Sequence, residues 1–189
     1  MFGDLLILNG ALRGDGNTAA LLNMLVGGNQ QDCVTAEPGH KIAACRNCGY
    51  CKRADICAVS DGMEAVYRAA ETAGRVVIAS PVYFGSLTGF LSDVFSRFQR
   101  YFKDGYGNLP RVGSKKEGAV ILTAGGYGRT ESAERSAALL MKLLNVETPV
   151  FITSYKTDTV PACKDTAAVA QIAALRERWF GRIVKGGGI

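Results

Sequence analysis

The stretch "DLLILNGALRGDGNTAALLNMLVGG", residues 4–28, changes character twice. Leu5 to Leu8 form a short unbroken apolar run, the pattern of a strand buried on both faces. Asn9 to Thr18 then carry three glycines (Gly10, Gly14 and Gly16) with Arg13 and an Asn-Thr pair. From Asn17 the apolar residues recur at helical spacing, with Asn17 as the expected N-cap and Gly27 as the stop. A buried strand, a glycine-rich turn and a helix are the first two elements of a βαβ unit, which predicts a parallel sheet.

The same alternation repeats outward. "DCVTA" (32–36), "RVVIAS" (75–80), "AVILTAGG" (119–126) and "VETPVFITS" (146–154) read as further strands. Helices are expected over 61–74, 88–102, 132–145 and 165–184. The second of the five opens on a capping box from Asp61 to Glu64. Leu91, Val94, Phe95, Phe98 and Phe102 form one apolar stripe on the 88–102 helix. Val169, Ile172, Trp179 and Ile183 do so on the last helix. Five strands with helices on both faces predict a flavodoxin-like doubly wound α/β domain, strand order 2-1-3-4-5, spanning 1–189. At 189 residues, 48% hydrophobic, the chain can bury a core without disulfide staples. It has no apolar run long enough to cross a bilayer and no start resembling a signal peptide. It reads as a cytoplasmic protein with reduced thiols.

In such sheets ligands gather beyond the carboxyl ends of the strands, so three loops matter most. After the first strand, glycines and a helix start make a cradle for a terminal phosphate, with Arg13, Asn17 and Thr18 as added donors. The loop lacks the Walker lysine and the GxGxxG spacing, and a plain βα turn is the alternative. After the third strand, "SPVYFGS" (80–86) sets Tyr83 and Phe84 where a planar ring could lie, unless both pack under the next helix. After the fourth, "TAGGYG" (123–128) lets backbone approach a flat ligand. A phosphate at one loop and a heteroaromatic ring between two others describe FMN.

The segment "CRNCGYCKRADIC" spaces Cys45, Cys48, Cys51 and Cys57 as C-x2-C-x2-C-x5-C. Three thiols from one compact loop and a fourth nearby suit a single 4Fe-4S cluster. Zinc usually takes two C-x2-C pairs with a long spacer, so it fits less well; idle thiols are a third reading. Cys33 reads as a small buried residue, Cys163 as incidental, and His40 as a surface residue.

Charge is uneven. From Arg97 to Lys116 six cations (Arg97, Arg100, Lys103, Arg111, Lys115, Lys116) face only Asp104, a net charge equal to the whole chain's +5. Either this is a solvated helix face with its loop, or a docking surface for an acidic partner or a phosphate-bearing cofactor. The aromatics between these cations fit the core stripe better than a nucleic-acid surface. The Asp104–Gly118 loop is a candidate interface arm.

Taken together, "NGALRGDGNT", the cysteine segment, "SPVYFGSLTGFLSD", "LTAGG" and "TDTVP" resemble the NADPH-dependent FMN reductase family, and within it the iron–sulfur flavoproteins. The resemblance implies a flavin-dependent oxidoreductase with NAD(P)H as a possible reductant. It sets the FMN phosphate against Ala11, Arg13, Asn17 and Thr18, and the ring against Pro81, Val82, Tyr83, Phe84, Gly85, Ser86, Thr123, Gly125 and Gly126. It makes Cys45, Cys48, Cys51 and Cys57 the cluster ligands, and implies a homo-oligomer, dimer or tetramer, that brings one subunit's cluster to a neighbour's flavin. Such a protein would pass electrons between FMN and a one-electron donor such as a ferredoxin, docked on Arg97, Arg100 and Lys103. Similar proteins carry Ser-Pro where Ala11-Leu12 stand here, which removes one hydroxyl donor to the phosphate.

Overall fold

In the computed structural model, residues 4–29, 33–102, 109–126 and 128–181 are described. Five parallel strands make one sheet: β1 (Leu5–Asn9), β2 (Cys33–Ala36), β3 (Arg75–Pro81), β4 (Glu117–Thr123) and β5 (Val150–Ser154), in the order β2-β1-β3-β4-β5. Register carries Leu5 opposite both Cys33 and Arg75, and Pro81 opposite Thr123. All strands therefore end together, and the loops that follow them converge.

Alternation along the strands divides the core. Leu6, Leu8, Val76, Ile78, Val120 and Leu122 face one side, packed with α3 (Met63–Thr72), α4 (Gly89–Arg97) and α5 (Glu131–Leu143). Leu5, Ile7, Val77, Ala79, Ile121 and Ile152 face the other, under α1 (Asn17–Val26) and α6 (Thr166–Phe180). The central strands β1, β3 and β4 are buried on both faces, which is why they read as continuous apolar runs, while the edge strands β2 and β5 are partly exposed. The expected doubly wound order is the one observed.

Several local expectations change. Gly16, not Asn17, is the N-cap of α1, and no side chain caps it. The Asp61–Glu64 capping box does not form: Asp61 Oδ1 accepts from the Met63 amide while Oδ2 pairs with Arg97. The helix expected over 88–102 stops at Arg97 and tightens into a 3-10 turn, Phe98–Tyr101. Ile183, expected on the last helix, lies outside the described residues.

The basic surface is corrected most. Arg97 is 2% exposed and ion-paired to Asp61 at 2.7 Å. Lys116 is buried, donating to the carbonyls of Val112 and Ser114, and burial lowers its pKa. Lys115 pairs with Glu147, Arg111 donates to the Lys142 carbonyl, and Arg100 donates to the Asp55 carbonyl and lies over the Tyr67 ring. Lys103 and residues 104–108 of the expected interface arm lie outside the described residues. The rest of that arm is tied to the fold through Val112 N–H to Leu143 O and Lys116 N–H to Asn145 O. Arg111 and Lys115 stay exposed, and the burial of Lys116 is not visible in charge spacing alone.

Candidate functional site

Where β1, β3 and β4 end, the loops enclose a cavity of about 460 Å³. Ala11, Arg13, Asn17 and Thr18 line it from the first loop, Pro81 to Phe84 from the second, and Thr123 and Gly125 from the third. The start of α1 opens into it. With no side-chain cap, the first-turn amides of this ten-residue helix are left to a ligand or water, and the helix dipole favours an anion there.

The side chains are less free than the sequence suggests. Arg13 lies in an exposed bidentate pair with Asp15 at 3.0 and 3.1 Å, and that carboxylate raises the pKa of Arg13. The Asn17 amide is spent on a clamp: Nδ2 donates to the Thr157 carbonyl and Oδ1 accepts from the Ala162 amide. The buried Thr18 hydroxyl shares a 2.6 Å hydrogen bond with Thr123 Oγ1. The Ala11 amide donates to Asn9 Oδ1. What points to a phosphate is therefore the backbone of the helix start more than the polar side chains.

The second loop is a tight turn. Tyr83 and Ser86 exchange backbone hydrogen bonds at 3.0 and 2.9 Å, and both central residues take positive φ, Phe84 at 51° and Gly85 at 76°. That places a bulky residue in a conformation L-residues avoid, and leaves Phe84 fully exposed, with Tyr83 51% exposed. Neither aromatic packs under the following helix. In the third loop a Cβ on Gly125 would collide with the Asp158 carboxylate, so glycine lets the 157–158 backbone close over β4. Thr157 and Asp158 thereby join the lining. Their only sequence signal was the "TDTVP" resemblance. Gly85, Ser86 and Gly126 fall outside the lining: the Gly85 and Gly126 carbonyls are bonded to the Ala133 and Lys156 amides, and Ser86 closes the turn.

A second cavity, about 220 Å³, lies beside the 3-10 turn. Cys45, Cys48, Cys51 and Cys57 all line it, with Arg97 and Arg100. Left-handed φ at Asn47, Gly49 and Asp55 curls the segment around it, and α2 (Cys51–Ala54) forms one side. The thiols are free, and among the described residues no three His, Cys, Asp or Glu side chains gather tightly enough to hold a single metal ion. Arg97 anchors this segment at both ends. Its Nη1 donates to the Ala43 carbonyl and to Asp61 Oδ2, and Nη2 donates to the Val59 carbonyl. The Cys45 amide donates to Ser96 Oγ. Burial works against the Arg97 charge, yet the Asp61 carboxylate outweighs it and raises its pKa; in return Asp61 is held below its ordinary value despite burial. Outside this cavity, Cys33 is half-buried and donates to the Asn29 carbonyl, Cys163 is exposed, and His40 lies 3.9 Å from Glu37 at the surface.

The sequence profile of the NADPH-dependent FMN reductase family matches residues 4–158, which takes in all three loops and the cysteine segment. The chain belongs to the NADPH-dependent FMN reductase family. It is thus a member of a family of flavin-dependent oxidoreductases whose cofactor is FMN. It is 28% identical over 120 residues to an iron-sulfur flavoprotein of Archaeoglobus fulgidus, covering 61% of this chain and 52% of that one. It is 33% identical over 57 residues to an iron-sulfur flavoprotein of Methanosarcina thermophila, covering 30% of each. The matched stretches thus span about half or less of these relatives' lengths. Among solved structures, an azoreductase from Bacillus anthracis superposes with a TM-score of 0.66 at 13% identity, over 94% of this chain and 98% of that one. An FMN-dependent NADH-azoreductase from Bacillus anthracis in complex with FMN gives 0.61 at 11%, over 92% and 97%. At these identities the structural likeness is one of fold. No helix among the described residues is long and apolar enough to cross a membrane.

Proposed function

We propose that this family member is an iron–sulfur flavoprotein that moves electrons between a one-electron donor and FMN. The observation that carries the reading is the second cavity: four unbridged thiols, spaced C-x2-C-x2-C-x5-C within thirteen residues, line one space. The names of the Archaeoglobus and Methanosarcina relatives support it. When bound, FMN would supply two-electron chemistry and a 4Fe-4S cluster one-electron chemistry.

The chain's own residues bind and orient. The α1 amides and Thr18 would hold the phosphate with Arg13 at the solvent side, and the Gly125 backbone with Tyr83 and Phe84 would hold the ring. Cys45, Cys48, Cys51 and Cys57 would hold the cluster, with the charges of Arg97 and Arg100 beside it. The cavity lining includes exposed Arg46 and Lys52, and exposed Arg53 follows in sequence, a better site for an acidic redox protein of the ferredoxin kind than the 97–103 face. Exposed Phe84 suits a homo-oligomer in which one subunit covers another's flavin site, and six free thiols suit the cytoplasm. A second reading, direct reduction by NAD(P)H, is favoured by the family match itself.

The test compares wild type with Cys48→Ala, purified without oxygen. The variant is expected to lose iron and sulfide, keep FMN, and lose reduction by reduced ferredoxin while keeping any reduction by NADPH. A variant with wild-type iron content contradicts the cluster assignment.

A further inference from the structure

The ionisable side chains in the lining of the flavin cavity are those of Arg13, Tyr83 and Asp158. The Arg13 charge is matched by Asp15 in the bidentate pair. Asp158 has no such counterpart: among the described residues, no donor or cation bonds its carboxylate. Its place is nonetheless fixed. The amides of Lys156, Thr157 and Asp158 donate to the carbonyls of Gly126, Ala124 and Gly125 at 3.2, 3.0 and 3.5 Å. On the other side the Thr157 carbonyl accepts from Asn17 Nδ2 at 3.2 Å, at the start of α1. Asp158 is thus held between the third loop and the phosphate end of the cavity. Gly125 has no side chain to stand in between: Cγ and both oxygens of the Asp158 carboxylate occupy the space a Cβ would need, so the charge rests against the backbone just beyond β4. The residue is exposed, and water screens the carboxylate while the cavity is open. A ligand that fills the cavity displaces that water, and a charge in a drier site acts more strongly on its neighbours.

We infer that Asp158 sets an uncompensated negative charge in the wall of the flavin cavity and thereby lowers the reduction potential of the bound FMN. The inference rests on FMN occupying this cavity. In mildly alkaline solution, full reduction brings two electrons and one proton to the ring, which therefore gains one negative charge. A fixed carboxylate repels that charge, as one anion opposes the ionisation of another beside it, and so disfavours the reduced form. The effect needs no hydrogen bond to the ring, only the carboxylate's place in the cavity wall. It makes the reduced flavin a stronger reductant toward whatever acceptor it meets. Asp15, the other acid near this cavity, has no comparable role, because its charge is spent on Arg13 in solvent.

The test uses Asp158→Asn, which keeps the shape and removes the charge, with Asp158→Glu, which keeps the charge. Bound FMN is counted first. Each protein is then titrated with dithionite without oxygen in mildly alkaline buffer, against an indicator dye, while the flavin absorption band is followed. In Asp158→Asn the midpoint is expected to rise so that the equilibrium shifts about tenfold toward reduced flavin, or about 30 mV for two electrons. Asp158→Glu should stay near wild type. An unmoved midpoint in Asp158→Asn overturns the inference. So does an equal shift in Asp158→Glu, which would trace the effect to side-chain shape instead of charge. Should a variant hold FMN too weakly to titrate, its affinities for oxidised and reduced FMN decide: Asp158→Asn should favour reduced over oxidised FMN about tenfold more than wild type does, and an unchanged ratio refutes the inference. Wild type that takes up no FMN overturns the flavin reading and this inference with it, an outcome the flavin count separates from a failure specific to Asp158.

Discussion

Replacing Arg97 with Met keeps much of the side-chain length and removes the guanidinium that ties the cysteine segment to α4. Three hydrogen bonds go at once: to the Ala43 and Val59 carbonyls and to Asp61. Breaking a buried ion pair by deleting one partner costs about 3–5 kcal/mol, because the other charge stays behind. Here Asp61 is not abandoned. Its carboxylate still accepts from the Ala43 and Met63 amides and is 12% exposed. The expected loss is therefore near the low end, about 3 kcal/mol, a large share of the roughly 5–15 kcal/mol that holds a typical domain. Urea unfolding of the cofactor-free, reduced protein measures it as a lower midpoint at unchanged slope. Asp61→Asn alone should cost about 2 kcal/mol, since Arg97 keeps two carbonyl acceptors. The double variant should cost at least about 1 kcal/mol less than the two singles added together. A loss below about 1 kcal/mol for Arg97→Met, or additive singles, would refute the idea that this buried pair anchors the segment.

Three further outcomes are expected. Asp61 is held below its ordinary value near 3.8, so its ionised form contributes stability that is complete above that value and disappears as pH falls through the lower folded value. The stability gap between wild type and Asp61→Asn, measured by urea midpoints from pH 7 to 3, should be flat above about pH 5 and close below about pH 4. Thr18→Ala should weaken FMN binding by about 1–2 kcal/mol and riboflavin binding by much less, whereas Arg13→Ala should weaken FMN binding less than Thr18→Ala does, because its charge is exposed and shared with Asp15. Titration by flavin fluorescence checks both, and equal losses for FMN and riboflavin would contradict the phosphate assignment. Phe84→Gly removes an exposed ring from a left-handed position, so thermal stability should hold or rise slightly, while FMN affinity or self-association falls.

Much of the fold was legible because the sheet is parallel and buried on both faces. Continuous apolar runs such as Leu5–Leu8 and Val76–Ala79 announce such strands directly. The three ligand loops followed from topology, since parallel strands in register must end at one edge. Arg97 was not legible. On a helical wheel it sits with Arg100 and Lys103 opposite the apolar stripe, and nothing local shows that a segment ending 38 residues earlier, at Val59, folds over it. The same limit hid the Asn17 clamp on Thr157 and Ala162 and the approach of Asp158 to Gly125, contacts that join distant parts of the chain. Phe84 at positive φ was hidden for another reason: its turn type calls for Gly or Asn, and no propensity anticipates a phenylalanine there.

The central claim is that one chain holds a flavin at the strand ends and an iron–sulfur cluster in the thiol-lined cavity. Anaerobic purification followed by counting FMN, iron, acid-labile sulfide and zinc on one sample tests it most directly. The account predicts about one FMN, four iron and four sulfide per chain with no zinc. FMN without iron and sulfide, or zinc in their place, would contradict it.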